Sequence, residues 1–236
     1  MIASIFLVSL TTAVLASECP PAQQLKGRYG LNLEGHTAGG DPYVAVGVAQ
    51  LERGTFSLEL TRSENGRLRQ QTVEGSISSD QCAVKLTSQD DPDGFSLLGQ
   101  IVAPGHQVLV TEVRSKNPVV ASGALRRMGR QSCSQASLRG TYVYVTQGYR
   151  RQPDGAGWLP VGKTGRESFD GKGCTVYRET IKEGSTIMPD VRGLLDYAVQ
   201  PNCSFHLLEN GTPVFLGVLV NQGQSIPYMV MQEGVT

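Results

Sequence analysis

The chain has 236 residues and carries 21 lysines and arginines against 21 aspartates and glutamates. Because it has neither a net charge nor a basic stripe, we do not expect nucleic acid or an anionic membrane surface as a partner. The sequence also contains 28 glycines and 12 prolines, with few long periodic apolar stretches. This composition indicates many short strands joined by turns, so we expect an all-β protein.

Residues 1–17 have the features of a secretory signal peptide. The segment has no charged residue, and its apolar run from Ile5 to Leu15 is too short to span a bilayer. We expect cleavage near Ala16; an uncleaved anchor or a buried first strand is the alternative. No later stretch approaches the roughly 20 apolar residues of a membrane helix. The sequence therefore predicts a secreted or periplasmic protein that does not insert into a membrane after the signal is removed.

The rest of the sequence contains an internal repeat. The pentapeptide Leu25–Tyr29 (LKGRY) recurs as Leu138–Tyr142 (LRGTY). Further matching positions follow in the same order: Gly35 and Gly148, Val46-Gly47 and Val161-Gly162, Cys82 and Cys203, Leu98-Gly99 and Leu216-Gly217, Gly105 and Gly223. Agreement in order and spacing predicts a duplication. We assign residues 18–128 to a first unit, residues 129–137 to a linker and residues 138–236 to a second unit.

Each unit has the pattern of an antiparallel sheet. Phe56, Leu58 and Leu60 alternate with polar residues, as in a half-buried strand. Asn65-Gly66 and Asn210-Gly211 suit hairpin turns that need positive φ. A sheet of this size hides its edges by closing on itself or by packing as a sandwich. We expect two small β-barrels, with a β-sandwich as the alternative.

The two units differ at their ends. Val119–Met128 is the predicted closing strand of the first unit, whereas the chain ends soon after Gly223 in the second unit. We therefore expect the second barrel to lack its last strand. Its exposed edge would be covered by the first unit, by residues 18–24, or by a partner chain such as a second copy in a homodimer.

The cysteines of an exported chain are expected to form disulfides. Since repeat-equivalent cysteines should pair in the same way, we predict the disulfides Cys19–Cys82 and Cys133–Cys203. Cys174 has no counterpart in the first unit and is predicted to be a free thiol, either buried or exposed for pairing between chains. No C-x-x-C motif occurs and the histidines are scattered, so neither a metal nor another cofactor is expected.

Two aromatic residues are candidates for ligand binding. Trp158 lies in a loop rich in glycine and proline, where aromatic side chains often meet ligands; the alternative is that it plugs a barrel end. Tyr144 could point its hydroxyl into a cavity. The repeat-equivalent Tyr29 and Tyr142 could do the same, but we predict that they are core residues.

Two glutamates are candidates for acid–base chemistry. Glu167 and Glu179 lie in alternating runs and could place a carboxylate inside the barrel as a general acid or base. Charge pairs across the outer face of neighbouring strands explain both residues as well. Glu167 is the candidate catalytic residue.

A scattered set of turn and core residues resembles a known group of proteins. The set is Leu138-x-Gly140-x-Tyr142, Gly148, Pro160-x-Gly162, Phe169-Asp170-Gly171-x-Gly173, Asn202-Cys203 and Phe215-x-Gly217. It resembles secreted, mostly bacterial, β-barrel-like proteins of unassigned function, whose barrel is similar to that of the allene oxide cyclase and dirigent group and, more distantly, of the calycins. The resemblance implies a calycin-like barrel for both units and places no catalytic residue of those cyclases on this sequence.

The sequence contains no nucleophile-elbow, zinc-protease, Walker or dinucleotide-binding motif. We expect an exported, non-enzymatic barrel protein that binds an apolar small molecule or another surface component. That function requires a cavity lined by apolar residues, without converging titratable side chains. A cofactor-free cyclase or isomerase is the first alternative, and it requires a buried carboxylate of raised pKa that faces a pocket. A structural or inhibitory protein-interaction module is the second alternative, and it requires barrels filled by side chains.

Overall fold

The computed structural model describes residues 25–235 except 104, 115, 130–131, 153, 156 and 232–234. The predicted signal peptide and Cys19 lie outside the described residues. The described residues form an all-β protein with two antiparallel sheets: a closed eight-stranded barrel and a seven-stranded sheet that curls into a half-barrel. The predicted all-β class with two barrel-like units is thereby confirmed. No helix in this part of the chain has the length and apolar character needed to cross a membrane.

Eight consecutive strands form the first barrel. They are β1 (Gly27–Thr37), β2 (Pro42–Glu52), β3 (Thr55–Glu64), β4 (Arg67–Asp80), β5 (Ala83–Ser88), β6 (Ser96–Ala103), β7 (Gln107–Val113) and β8 (Val119–Arg127). β8 pairs antiparallel with β1 along its whole length, from Arg127 opposite Tyr29 to Val119 opposite Thr37. This pairing closes the sheet and confirms the predicted closing strand.

The interior of the first barrel is packed with its own side chains. Twelve large residues are almost fully buried: Tyr29, Tyr43, Phe95, Leu25, Leu31, Leu33, Leu51, Leu58, Leu60, Leu86, Leu97 and Leu125. At one end, the buried Arg114 Nε donates to Glu112 Oε1 at 2.5 Å, and the Tyr43 hydroxyl donates to Glu112 Oε2 at 2.7 Å. Because the charges of Arg114 and Glu112 are paired with each other, their burial is compatible with a folded core. The first barrel is therefore a packed scaffold.

A short 3-10 helix, Gln135–Ser137, leads into the second sheet. Its strands are β9 (Arg139–Arg151), β10 (Trp158–Asp170), β11 (Cys174–Glu183), β12 (Thr186–Val199), β13 (Ser204–Glu209), β14 (Thr212–Val218) and β15 (Tyr228–Val230). Neighbouring strands pair in chain order from β9 to β15, and β9 and β15 are the two edges. Within the described residues the second sheet therefore has one strand fewer than the first barrel and stays open.

Equivalent hydrogen bonds in the two units support the predicted duplication. In the first unit, the Tyr29 hydroxyl donates to the Gly105 carbonyl oxygen at 3.1 Å. In the second unit, the matching Tyr142 hydroxyl donates to the matching Gly223 carbonyl oxygen at 2.6 Å. The same contact between the first strand and a late turn has been kept in both copies.

Strand register corrects one part of the repeat alignment. Leu31 and Tyr144 each lie two residues after the matched tyrosine. Leu31 faces Gly47 on β2, whereas Tyr144 faces Gly165 on β10. Gly47 therefore corresponds to Gly165, and the match of Gly47 with Gly162 was wrong by three residues. The error arose because β10 contains both Gly162 and Gly165, three residues apart.

One predicted disulfide is present, and it ties the linker to the second sheet. Cys133 is bonded to Cys203, which closes a loop with a sequence separation of 70 residues. Chain-entropy reasoning gives such a crosslink about 4 kcal/mol of stability, and a disulfide fits an extracellular or periplasmic protein. Cys82 is also disulfide-bonded; its pairing with Cys19 stays a prediction because Cys19 lies outside the described residues. Cys174 is a free, partly buried thiol, as predicted.

The outer face of β14 packs on the outer face of β2. Val46 and Val48 of β2 share one buried cluster with Leu216 and Val218 of β14. Because these side chains point away from the two sheet interiors, the units sit back to back. The first barrel therefore supports the second sheet from its convex side and leaves its concave side free.

A close approach at Gly30 leads to a testable prediction about this interface. A Cβ atom at Gly30 would lie 2.4 Å from Val220 Cγ1 and 2.9 Å from Val218 Cγ1. Gly30→Ala should therefore lower the free energy of unfolding by roughly 1–3 kcal/mol through overpacking, measured by chemical denaturation. Gly162→Ala is the matched control, because a Cβ there meets nothing closer than Thr146 O at 3.8 Å. Equal effects of the two substitutions would contradict the tight interface.

Candidate functional site

The concave side of the second sheet surrounds a cavity of about 470 Å³. Seven aromatic rings line it: Tyr142, Tyr144, Phe169, Tyr177, Phe205, Phe215 and Tyr228. Four ionisable side chains join them: Lys163, Glu167, Glu179 and Glu209. The rest of the wall consists of leucine, isoleucine and valine residues together with the polar Gln224 and Ser225. The cavity therefore combines an aromatic and apolar surface with a small set of charged groups, which is typical of small-molecule sites.

Strand register explains why Glu167 faces the cavity. Side chains directly opposite each other on neighbouring strands lie on the same face of a sheet. Glu167 on β10 lies opposite Tyr142 on β9. In the first barrel, the matching Tyr29 lies opposite Ala49, which is fully buried. Glu167 thus occupies the position of a small core residue in the packed barrel.

The same comparison places Glu179 inside the second sheet. Glu179 on β11 lies opposite Gly165, and the corresponding Gly47 of the first barrel lies opposite Leu60. Leu60 is one of the filled barrel's core side chains. A carboxylate therefore replaces a leucine at this position, so the interior of the second sheet has become polar where the first is apolar.

Glu179 is held in an ion pair and a hydrogen bond. Glu179 is only 7% exposed. The Tyr144 hydroxyl donates to Glu179 Oε2 at 2.7 Å, and Lys163 Nζ donates to Glu179 Oε1 at 3.2 Å. Burial, together with the bond to Glu179, raises the pKa of Tyr144 above its ordinary value, so this tyrosine remains a donor. The Lys163 ammonium also lies 5.8 Å from the centroid of the Phe215 ring.

Glu167 has a different environment from Glu179. The buried Thr175 hydroxyl donates to Glu167 Oε1 at 3.2 Å. Among the described residues, no lysine, arginine or histidine forms an ion pair with Glu167. Burial raises the pKa of Glu167 to about 7, and the negative charge of Glu179 adds to this rise. Near neutral pH, Glu167 is therefore able both to accept and to release a proton.

Most of the candidate residues lie on the inner face of one of the two sheets. Glu167, Glu179 and Tyr144 converge on one cavity, so the interpretation of the two glutamates as charge pairs on the outer face was wrong, although Glu179 does pair across strands with Lys163 inside the sheet. It failed because alternation along a strand does not say which face is outward. Tyr29 is a core residue, as predicted. Tyr142 packs against the second core and also lines the cavity.

Trp158 lies at the contact between the two units. Its indole Nε1 donates to Asp41 Oδ1 at 3.1 Å, and the Arg151 guanidinium lies 5.3 Å from the centroid of its ring. Trp158 is not one of the side chains that line the 470 Å³ cavity. It links the start of β10 to the β1–β2 turn, and its predicted role in ligand binding stays a prediction.

Sequence reasoning missed several residues of the site. Lys163 was missed although it lies on the same face of β10 as Glu167, four residues away, so the two-residue period of a strand could have found it. Tyr228 and Phe215 come from distant strands, and no local signal marks them as neighbours of Glu167.

Neither protein-family models nor curated proteins match this sequence. In the part of the chain that the structure describes, no group of three or more His, Cys, Asp and Glu side chains is placed to hold a metal ion.

The raised pKa of Glu167 predicts a pH dependence of stability. Its pKa rises from 4.5 to about 7 on folding, so between these values the folded protein holds a proton that the unfolded chain has released. The free energy of unfolding should therefore fall, by up to about 3 kcal/mol, as the pH rises through this window.

Chemical denaturation across this pH range checks the prediction. Glu167→Gln should remove the fall, because glutamine does not titrate. Glu209→Gln, at the exposed end of β13, is the control and should keep it. If the wild type and Glu167→Gln have the same dependence of stability on pH, Glu167 is not the group responsible for the fall.

Proposed function

We propose that the protein is an exported binding protein that holds a small molecule in the cavity of its second unit. The contrast between the two copies is the observation that carries this proposal. One copy fills its interior with leucines and other apolar side chains, and the other keeps a cavity of about 470 Å³. The first copy serves as a rigid support for the second.

The composition of the cavity wall supports a binding role. Replacing a buried alanine and a buried leucine by Glu167 and Glu179 costs stability, because carboxylates lose hydration in a folded interior. The packed barrel demonstrates that the same fold accommodates apolar side chains at both positions. Polar groups kept at such a cost are expected to act on a ligand. The seven aromatic rings fit a ligand with an apolar or aromatic body.

A groove between the two units supplies a route to the cavity. The groove has a volume of about 750 Å³, and it shares Lys163, Phe215 and Tyr228 with the cavity wall. It runs beside the open edge of the second sheet, where it is also lined by Val145 of β9 and Val230 of β15. In this proposal a ligand passes through the gap between β9 and β15, which among the described residues is bridged only between Arg150 and Val235.

Export to the cell exterior or periplasm is part of this proposal. It follows from the predicted signal peptide, together with the disulfide Cys133–Cys203. Homodimerisation stays a prediction, since a second copy is one way to cover the edge of β9.

The binding proposal predicts a co-purifying small molecule. Native mass spectrometry of protein purified from its secretion host should reveal a species heavier than the bare chain. Leu195→Trp, which adds bulk inside the cavity, should abolish this species and also the binding of a neutral fluorescent naphthylamine probe. Leu194→Trp adds the same bulk to an exposed position on the outer face and should leave both unchanged. If neither the added mass nor probe binding is observed in the wild type, the proposal fails.

Proton transfer is a second candidate function. A carboxylate of raised pKa that faces a cavity is the feature expected of a cofactor-free cyclase or isomerase, and Glu167 has it. The cavity wall also differs from the apolar wall without converging titratable side chains that was expected for a non-enzymatic binding protein. Glu179 is paired with Lys163, whereas Glu167 has no cation partner among the described residues and a pKa of about 7. Two carboxylates whose environments differ in this way are characteristic of acid–base sites. On this reading Glu167 moves the proton, and Glu179 and Tyr144 orient the substrate.

Hydrogen exchange on the bound molecule distinguishes catalysis from simple binding. In D₂O, an enzyme of this kind should exchange a carbon-bound hydrogen of the co-purified molecule, followed by NMR. Glu167→Gln should slow that exchange by about 100-fold or more while the molecule still binds. Binding without exchange in the wild type would leave the protein as a carrier.

A further inference from the structure

The cavity already contains one cation held by a carboxylate and an aromatic ring. The Lys163 ammonium lies 3.2 Å from Glu179 Oε1 and 5.8 Å from the centroid of the Phe215 ring. A cation near the face of an aromatic ring is attracted by the negative charge density of that face. The interior of the second sheet is therefore an environment that stabilises positive charge.

A second carboxylate in the same cavity has aromatic neighbours but lacks the cation. Glu167 lies between Tyr142 of β9 and Tyr177 of β11 in the strand register. Burial raises the pKa of Tyr228 on β15, and the nearby charge of Glu167 adds to this rise. No ion pair to Glu167 is formed by any cation in the described part of the chain. Glu167 therefore resembles Glu179 in being a carboxylate among aromatic side chains, but its hydrogen bond comes from the Thr175 hydroxyl and not from a cation.

The net charge of the cavity wall also favours a cationic ligand. Among the described residues, three glutamates and one lysine line the cavity, so ionised glutamates leave this wall with an excess of negative charge. An anionic ligand would be repelled by this wall, and a neutral ligand would leave an ionised Glu167 without a counter-charge. A cationic ligand supplies the charge that is absent.

We infer that the ligand of the second unit is an organic ammonium compound, with its cationic head between Glu167 and the tyrosine rings and its apolar body against the rest of the cavity wall. This inference rests on the proposed binding function and names its ligand class. A protonated amine on a short aromatic or aliphatic body fits a cavity of about 470 Å³. Glu167 would hold the head by a charge-assisted hydrogen bond, and the rings would add cation–π attraction.

Binding of this kind has a defined pH dependence. The titratable groups that share the cavity with Glu167 are Tyr142, Tyr144, Lys163, Tyr177, Glu179, Glu209 and Tyr228. Burial, with the nearby carboxylates, raises the pKa of Tyr144, Tyr177 and Tyr228, so these hydroxyls do not ionise near neutral pH. Since the ammonium head requires ionised Glu167, affinity should rise about tenfold from about pH 6 to about pH 8.5, and binding at the lower pH should release close to one proton.

Isothermal titration calorimetry with a matched pair of ligands tests the inference. Phenethylamine and 2-phenylethanol have nearly the same size and differ in charge. Phenethylamine should bind at least tenfold more tightly than 2-phenylethanol at about pH 8. Titrations in buffers of different ionisation enthalpy should detect the released proton.

Matched variants identify the responsible carboxylate. Glu167→Gln, which keeps the shape of the side chain, should remove the preference for the amine together with the pH dependence. Glu74→Gln removes an exposed carboxylate on β4 of the first barrel, outside the cavity, and should keep both. Far-UV circular dichroism and the denaturation midpoint confirm that each variant is folded.

The outcomes separate this inference from the proposed function. If the neutral naphthylamine probe binds but phenethylamine is not preferred over 2-phenylethanol, the ammonium inference is wrong and the binding function stands. If neither the probe nor either phenethyl compound binds, the binding function itself fails. A preference for the amine that survives in Glu167→Gln would overturn the role of Glu167.

Discussion

The pairing of β8 with β1 is the constraint on which the architecture depends. It closes the first sheet, and a closed sheet of eight strands leaves an interior that side chains can fill completely. The second copy has no matching strand within the described residues, so β9 and β15 remain edges. In the described residues, this one strand pair is the difference between the closed barrel and the open sheet, since both units pair their strands in chain order.

Back-to-back packing of the units makes this difference useful. The valines of β2 that face outward from the barrel bury the outward side chains of β14, and Gly30 permits the close contact. The first barrel covers the convex face of the second sheet and supports the curved sheet from that side, without filling its concave face. The linker disulfide Cys133–Cys203 anchors the same region by joining the chain before β9 to the start of β13.

Buried charge gives the concave face its chemistry. In the packed copy, the positions that correspond to Glu167 and Glu179 are an alanine and a leucine. The second copy puts carboxylates there and compensates only one of them, through Lys163 and Tyr144. Glu167 has no ion-pair partner among the described residues, and its raised pKa reflects the cost of burying its charge. A cationic ligand or a proton relieves it, which is the common physical basis of the binding, proton-transfer and ammonium proposals.

The sequence by itself determined the β class, the duplication, the Cys133–Cys203 pairing and the closing strand of the first unit. These features depend on local turn chemistry, on alternation along single strands and on repeated order, all of which are written in short segments. Tertiary structure alone decided which face of β10 and β11 is inward, and hence that Glu167 and Glu179 meet Lys163, Phe215 and Tyr228. A strand pattern of period two is the same for both faces, so the direction of a side chain is fixed only when the sheet curls and its neighbours occupy one side.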